Sequence, residues 1–345
     1  MAVVTQNFAD LLAVTLGDLG PLRFQQVYQD LQHYEVLSKW MKKDKVQFAS
    51  GTSVKKNIMI RDGVGSSEHV GLLDEDTVNI QDVMRTLSVE WVHLQTKWAM
   101  VYQTDVLMNS GRSLIVDVIK PRRAKAIIDM AQELEDKAWG SAPGTSNTTL
   151  PNGIQYWVVR NSTTGFTGSN PGSHTATGGI DADTDTRWKN YSHQYTTEIT
   201  KTGAVKQLRT AKRKTAFVSP VTVKDYRGAV GSRYRLYCNE TTISEFEDIG
   251  EGQNESLGKD VASMDGQIVF RGNPIIYIPK LDSDSGNPVY MLDHSTFYPI
   301  CLKGDYLREG NAERAPNQHN VFQVFVDMSY NYLCTDRRRN SVIYK

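Results

Sequence analysis

The sequence predicts an α+β chain organised around extended strands and one long helix. Three observations carry this reading. Two β-like arms flank a long polar tip between Val46 and Tyr102, a single long helical stretch runs from Pro121 to Gly140, and a β-rich series of short segments fills Gln267 to Cys334. No internal repeat of solenoid length is present.

Taken in order, the first element is a helix. Phe24, Val27, Tyr28, Leu31, Tyr34, Leu37 and Met41 recur at steps of three and four, with Gly20-Pro21 as a start signal. After Lys42-Lys43-Asp44-Lys45 the pattern changes to strand at Val46–Phe48 and Val54–Ile60, the second placing Ile58 and Ile60 on one face. A polar tip, Arg61 to Asn79, separates this arm from "VMRTLSVEWVHLQTKWAMVY", whose Trp91, Val92, Leu94, Trp98 and Val101 are aromatic or branched. The whole is too long for an ordinary connection in a compact domain.

The next stretch, "SLIVDVIKPRRAKAIIDMAQELEDKAWG", spaces Ala124, Ile127, Ile128, Ala131, Leu134 and Ala138 as one helical face, with Pro121 in the first turn of the main helix and Gly140 as its stop. Gly140 to Asp185 reads as loop-dominated surface broken by a strand at Ile154–Val159. Beyond it the sequence predicts a helix within Thr196–Thr215, a strand at Ala216–Pro220, a helix around Val223–Val230 and a strand at Tyr234–Cys238. Strands follow at Gln267–Phe270, Pro274–Pro279, Pro288–Asp293, Thr296–Leu302 and Val321–Cys334, with Gly272 to Asp293 reading as a hairpin turning at Asp284–Asn287.

Composition narrows the functions. The 345 residues carry 39 Lys and Arg against 39 Asp and Glu, so no net field draws the chain to nucleic acid or anionic membrane, and contact with either would need local patches. The N-terminal residues lack a signal-peptide pattern and no segment reads as a membrane span, which predicts a soluble cytosolic product. Cys238, Cys301 and Cys334 are odd in number and far apart, as buried apolar residues would be, without the spacing of a disulfide set or metal site.

Motifs for chemistry fail in their details. Asp181, Asp183 and Asp185 open like a calcium loop, but the sixth place is Thr186 and the twelfth Ser192. "GVGSSE" from Gly63 to Glu68 lacks the third glycine of a dinucleotide site, the seven histidines form no HExxH, and no serine occupies a GxSxG elbow. No catalytic residue, cofactor or metal is therefore expected. Two basic clusters could touch phosphate without a motif. Lys206, Arg209 and Arg213 share a helical face widened by Lys212 and Lys214, while Arg122, Arg123 and Lys125 at the start of the long helix join Arg337-Arg338-Arg339.

The order of elements resembles the major capsid protein of tailed bacteriophages, the Hong Kong 97 fold. "VDVIKPRRAKAIIDMAQELEDKAWG" resembles its spine helix, "NGIQYWVV" the start of its axial domain, "GNPIIYIPKL" with "YMLDHSTFYPICLKGDY" its late axial strands, and "FQVFVDMSYNYLCTDRRRNSVIYK" its closing strands. The resemblance implies an N-terminal arm at 1–45, an extended loop at 46–95, a peripheral domain with the spine helix at 96–150, an axial domain at 151–305 and a return to the peripheral domain at 306–345. It also implies a non-enzymatic shell protein of hexamers and pentamers around double-stranded DNA, with a separate scaffolding protein, a portal, a possible decoration protein and no membrane. Such a product resides in the virion after assembly in the host cytoplasm. On this reading Lys55, Lys56, Ile58, Ile60, Trp91 and Trp98 of the extended loop contact a neighbouring subunit, and Arg122, Arg123 and Lys125 face the genome. Lys55 or Lys56 with Asn331 or Asn340 are crosslinking candidates by type, with no motif fixing a pair. Alternatives are an encapsulin-type compartment and a non-capsid β-rich structural or glycan-binding module.

Overall fold

A computed structural model describes residues 34–60, 82–107, 112–216, 234–254 and 269–345, together with His69 and Gly71. The rest of the loop tip, the first part of the N-terminal helix, the helix expected at Val223–Val230 and nearly all of the strand expected at Ala216–Pro220 lie outside these residues.

Helix α1 (Val36–Asp44) is π-wound and buries Val36, Trp40 and Met41. It feeds β1 (Val46–Phe48), then β2 (Ser53–Met59) and β3 (Met84–Glu90), which pair as an antiparallel ribbon with Val54 opposite Val89 and Met59 opposite Met84. Strand β4 (Val92–Val101) leads through a π-wound turn (Tyr102–Leu107) into α2 (Arg112–Trp139). The helix begins nine residues before Pro121 (121 − 112), so the proline lies inside it instead of in its first turn. Continuous helical pairing around a residue with no N–H is a local cost that the flanking turns carry.

The remaining elements are α3 (Ile154–Trp157), β5 (Gly165–Gly168), β6 (Asn190–Gln194), α4 (Ala204–Thr215), β7 (Tyr234–Cys238), α5 (Glu240–Asn254), β8 (Val269–Phe270), β9 (Asn273–Tyr277), β10 (Val289–Asp293), β11 (Phe297–Leu302), β12 (Arg308–Glu309), β13 (Glu313–Ala315), β14 (Gln318–Cys334) and β15 (Ser341–Tyr344). Two large sheets result. The first is ordered β1-β11-β14-β12, with β4 and β13 also on β14; the second is β5-β6-β15-β10-β7-β9-β8. Strand β14 pairs with β4 along ten registered positions, from Val321 opposite Val101 to Tyr330 opposite Val92.

Several expectations are corrected here. Residues 272–293 are not a hairpin, because β7 lies between β9 and β10, parallel to the first and antiparallel to the second. The segment between them is a fastened crossover: Arg160 pairs with Asp284, and Lys280 reaches Asp136 of α2 at 2.9 Å. The strand expected at Ile154–Val159 is one helical turn, in which Ile154, Tyr156 and Trp157 are buried. Strand β11 belongs to the first sheet and β15 to the second. Finally, Gly140 to Asp185 is partly interior: Trp157, Ile180 and Ala182 join the main core.

That core lies between the two sheets and α2, around Trp40, Trp139, Phe297 and Tyr332. Trp40 contacts Trp139, Tyr237, His294, Phe297 and Tyr332 with ring centroids 5.1–6.1 Å away. These tilted and edge-on arrangements suit aromatic quadrupoles. A second core, on the other face of the second sheet, holds Leu208 and Ala211 of α4 against Leu236, Met291 and Ile343, with Ile243 and Phe246 of α5 at its margin. The three cysteines are buried and free, and burial pushes the Cys301 thiol up to about 12.

Candidate assembly surfaces

The β2–β3 ribbon is the extended element the sequence anticipated, but its stems rest on their own chain. Val54, Leu87 and Val89 point into the main core by strand alternation, as does Ile60 just beyond β2, and Ile58 packs partly against it. Ser88 N–H donates to the Gly178 carbonyl at 2.9 Å, and Arg85 Nε donates to buried Asp185 at 3.0 Å. Gly178, at φ +61°, leaves no room for a Cβ: one would stand 2.3 Å from Leu87 Cδ1. Thus the loop from Gly178 to Asp185, read as a failed calcium motif, holds the ribbon's base. Asp181 accepts from Asn170 at 2.8 Å, Thr184 at 2.6 Å and the Asp183 N–H at 2.9 Å, and these bonds hold its carboxyl down at about 2.

The opposite face of the ribbon carries Lys55, Asn57, Met59, Met84 and Thr86. Met59 and Met84 are cross-strand partners and are 72% and 48% exposed, while Lys55 and Lys56 are exposed cations. An exposed apolar pair on the outer face of a narrow ribbon is suited to burial elsewhere. Trp91 and Trp98, by contrast, are half-buried in their own subunit: Trp91 Nε1 donates to the Gly51 carbonyl at 2.8 Å and its ring meets Phe48. Trp91 thereby anchors the base of the loop within the chain, and Trp98 lies opposite Val324 on β14. Asn331 and Asn340 are both buried, which removes them as exposed crosslinking partners for Lys55 or Lys56.

The basic cluster at the start of the long helix is largely committed to the chain's own carboxylates. Arg122 donates to buried Asp105 at 2.5 Å and to the Ala99 carbonyl at 3.1 Å, fastening α2 to the end of β4. Arg123 meets Glu309 at 2.7 Å in a more exposed pair of small energetic weight, and Lys125 is exposed. Arg337 is wholly interior, donating to the carbonyls of Trp157 at 2.7 Å and Ser169 at 2.7 Å; burial lowers it to about 10. Arg339 is equally buried beside Asp293. The Arg337–Arg339 run is therefore mostly structural. The helix α4 face remains, with Lys206 and Arg213 exposed.

Where α1, α2 and the second sheet meet, a buried polar cluster fixes their relation. Glu135 of α2 accepts from the Val36 N–H at 2.9 Å and from Trp139 Nε1 at 2.7 Å, satisfying a donor at the start of α1. Glu35 pairs with Lys39 at 2.8 Å, Arg235 of β7 with Asp44 at 2.9 Å, and Tyr237 Oη with His294 Nε2 at 2.8 Å. Desolvation, with nearby Glu35, raises the Glu135 carboxyl to about 7 despite its two donors. Among the described residues no set of His, Cys, Asp or Glu is gathered as for a metal ion, and no helix is long and apolar enough to cross a membrane.

Among solved structures the chain is similar over nearly its whole length to capsid proteins. A chain of the cyanophage A-1(L) capsid aligns at TM-score 0.64 and 14% identity, over 94% of this chain and 96% of that one. The chain has the Hong Kong 97 capsid fold. A native GTA particle capsid follows at TM-score 0.59 and 11% identity, covering 94% of each chain, and Mycobacterium phage Bobi at 0.53 and 8%, covering 95% and 96%. No family model and no curated protein matches the sequence. At such identities the shared feature is order and spacing of elements, with the residues free to diverge.

Proposed function

We propose that the chain is a structural major capsid protein of a tailed bacteriophage. It would assemble into hexamers and pentamers of an icosahedral shell around double-stranded DNA. The observation that carries this reading is end-to-end coverage by a capsid fold together with a ribbon whose outer Met59–Met84 pair is left in water. Many copies making the same moderate contacts suffice for a stable closed shell, so no single site needs to be strong.

On this reading α2, the β2–β3 ribbon and the first sheet form the peripheral part, and the second sheet with α4 and α5 forms the axial part. Lys55, Lys56 and the methionine pair meet a neighbouring subunit, while Trp91, Trp98, Ile58 and Ile60 set the ribbon's angle from within. Lys125, with Arg123, remains available to the genome. A separate scaffolding protein, a portal and a possible decoration protein complete the particle, which forms in the host cytoplasm. Electron microscopy of the expressed chain, alone and with neighbouring gene products, tests the proposal. Closed shells or capsomer rings are expected; a monodisperse monomer at high concentration with its scaffolding partner present would overturn it.

A further inference from the structure

Helices α4 and α5 carry opposite charge on one face of the same sheet. The α4 sequence AVKQLRTAKRKT has five cations and no acid; the α5 sequence ETTISEFEDIGEGQN has five acids and no cation. Both bury apolar stripes in the second core, Val205, Leu208 and Ala211 from α4, Ile243, Phe246 and Ile249 from α5. Their positions differ. Helix α4 packs on β6 and β15, towards the β5 edge of the sheet, and α5 beside β9, towards the β8 edge.

The charges also form stripes of similar length. Lys206, Arg209 and Arg213 recur at steps of three and four, while Glu240 lies seven and eight residues before Glu247 and Asp248, so each set falls on one side of its helix. The cationic stripe spans seven residues (213 − 206) and the acidic one eight (248 − 240), about 10 to 12 Å at helical rise. Among the described residues none of these six forms an ion pair within the chain. Lys212 and Lys214 are already engaged, lying 3.3 Å from the Tyr234 ring centroid and 5.8 Å from that of Tyr191.

We propose that α4 of one copy docks against α5 of the next copy, Lys206, Arg209 and Arg213 facing Glu240, Glu247 and Asp248, as a head-to-tail contact within a capsomer. The inference rests on the shell reading and names the contact that closes its rings. Charge and position together select the geometry. A contact of α4 on α4 would bring cations against cations, and one of α5 on α5 acids against acids. With α4 towards one edge of the sheet and α5 towards the other, an edge-to-edge heterologous contact joins the unlike stripes, and heterologous contacts close into rings. A chain of zero formal net charge assembled from such copies carries no accumulating repulsion.

Charge reversal tests the contact. Lys206→Glu, Arg209→Glu and Arg213→Glu together should raise the protein concentration needed for assembly about tenfold or more, as should Glu240→Lys, Glu247→Lys and Asp248→Lys. Combining both sets in one chain should restore assembly to within a few-fold. A second measurement uses the unaltered chain. Particles assembled from mixed light and heavy isotope-labelled copies are treated with carbodiimide, which condenses a lysine amine with a carboxylate and releases water to the reagent. Mixed-mass peptides joining Lys206 to Glu240, Glu247 or Asp248 are expected. Particles without those peptides, or assembly indifferent to both reversals, overturn the proposal and leave the shell reading intact. A loss of DNA retention from the α4 reversal with normal assembly would assign α4 to nucleic acid and overturn it equally. Failure of the unaltered chain to form any particle overturns the shell reading itself.

Discussion

Glu135 joins three parts of the chain through one carboxylate, and its titration should be measurable. Its folded-state value near 7 stands above the ordinary 4.5, so folding favours the protonated form. The sign follows: the group imposes no penalty below about pH 4.5, stability falls as pH rises towards 7, and the full penalty, on the order of 3 kcal/mol, holds above it. In the unassembled chain, Glu135→Gln should remove this component. It should also cost about 1 kcal/mol at all pH values, because an amide cannot accept from both Val36 and Trp139 with its two heteroatoms. Urea unfolding of both proteins at pH 5 and pH 8 checks it; equal differences at the two pH values would refute the assignment. Trp40, touching five aromatic neighbours, should lose about 3–5 kcal/mol on Trp40→Ala, read from the same denaturation curves. At this scale the sequence was least transparent. Arg122 and the Arg337–Arg339 run look like phosphate-binding groups until burial and partners are known, and nothing local marks Glu135 as interior.

At the scale of elements, the β2–β3 ribbon separates two roles that alternate along one strand. Inward residues hold the ribbon to the Gly178–Asp185 loop, while the outward Met59 and Met84 are exposed. Met59→Asp with Met84→Asp should leave the unfolding midpoint nearly unchanged, yet raise the concentration required for shells by about tenfold, the equivalent of roughly 1.4 kcal/mol per contact. Light scattering during assembly reads this directly, and normal assembly would make the exposed pair incidental. Arg85→Ala should do the reverse, loosening the ribbon from Asp185 and from the body; faster hydrogen exchange at Ser88 would report it. Long periodic elements were legible: β10, β11 and β14 follow their hydrophobic patterns closely, as does α2 beyond Pro121, although its start lies nine residues earlier (121 − 112). What escaped was pairing order. The apolar runs at 274–279 and 288–293 look like a hairpin because they are neighbours in sequence, while the strand that separates them, β7, comes earlier. Helix α5 escaped because its Ile243, Phe246 and Ile249 stripe is short and the surrounding residues are acidic and polar.

For the whole molecule, the order of long elements pointed to a capsid fold, and the solved capsid structures share that fold over nearly the whole chain. Raising salt should weaken ring formation more than it weakens the folded subunit, since exposed charge pairs are screened within about 10 Å while the aromatic core is not. Assembly yield against ionic strength, compared with thermal unfolding over the same range, distinguishes the two. The position of β14 and β15 has one more consequence. Strand β14 is the common partner of β4, β11, β12 and β13, and β15 lies between β6 and β10, so strands from residue 318 onward complete both sheets. Such distant pairings form slowly. A nascent chain halted before residue 318 has neither sheet finished, and its α1–α2 junction lacks Tyr332 from the packing around Trp40. On the proposed shell reading, a product that stops there would have no finished surface to offer a neighbouring copy.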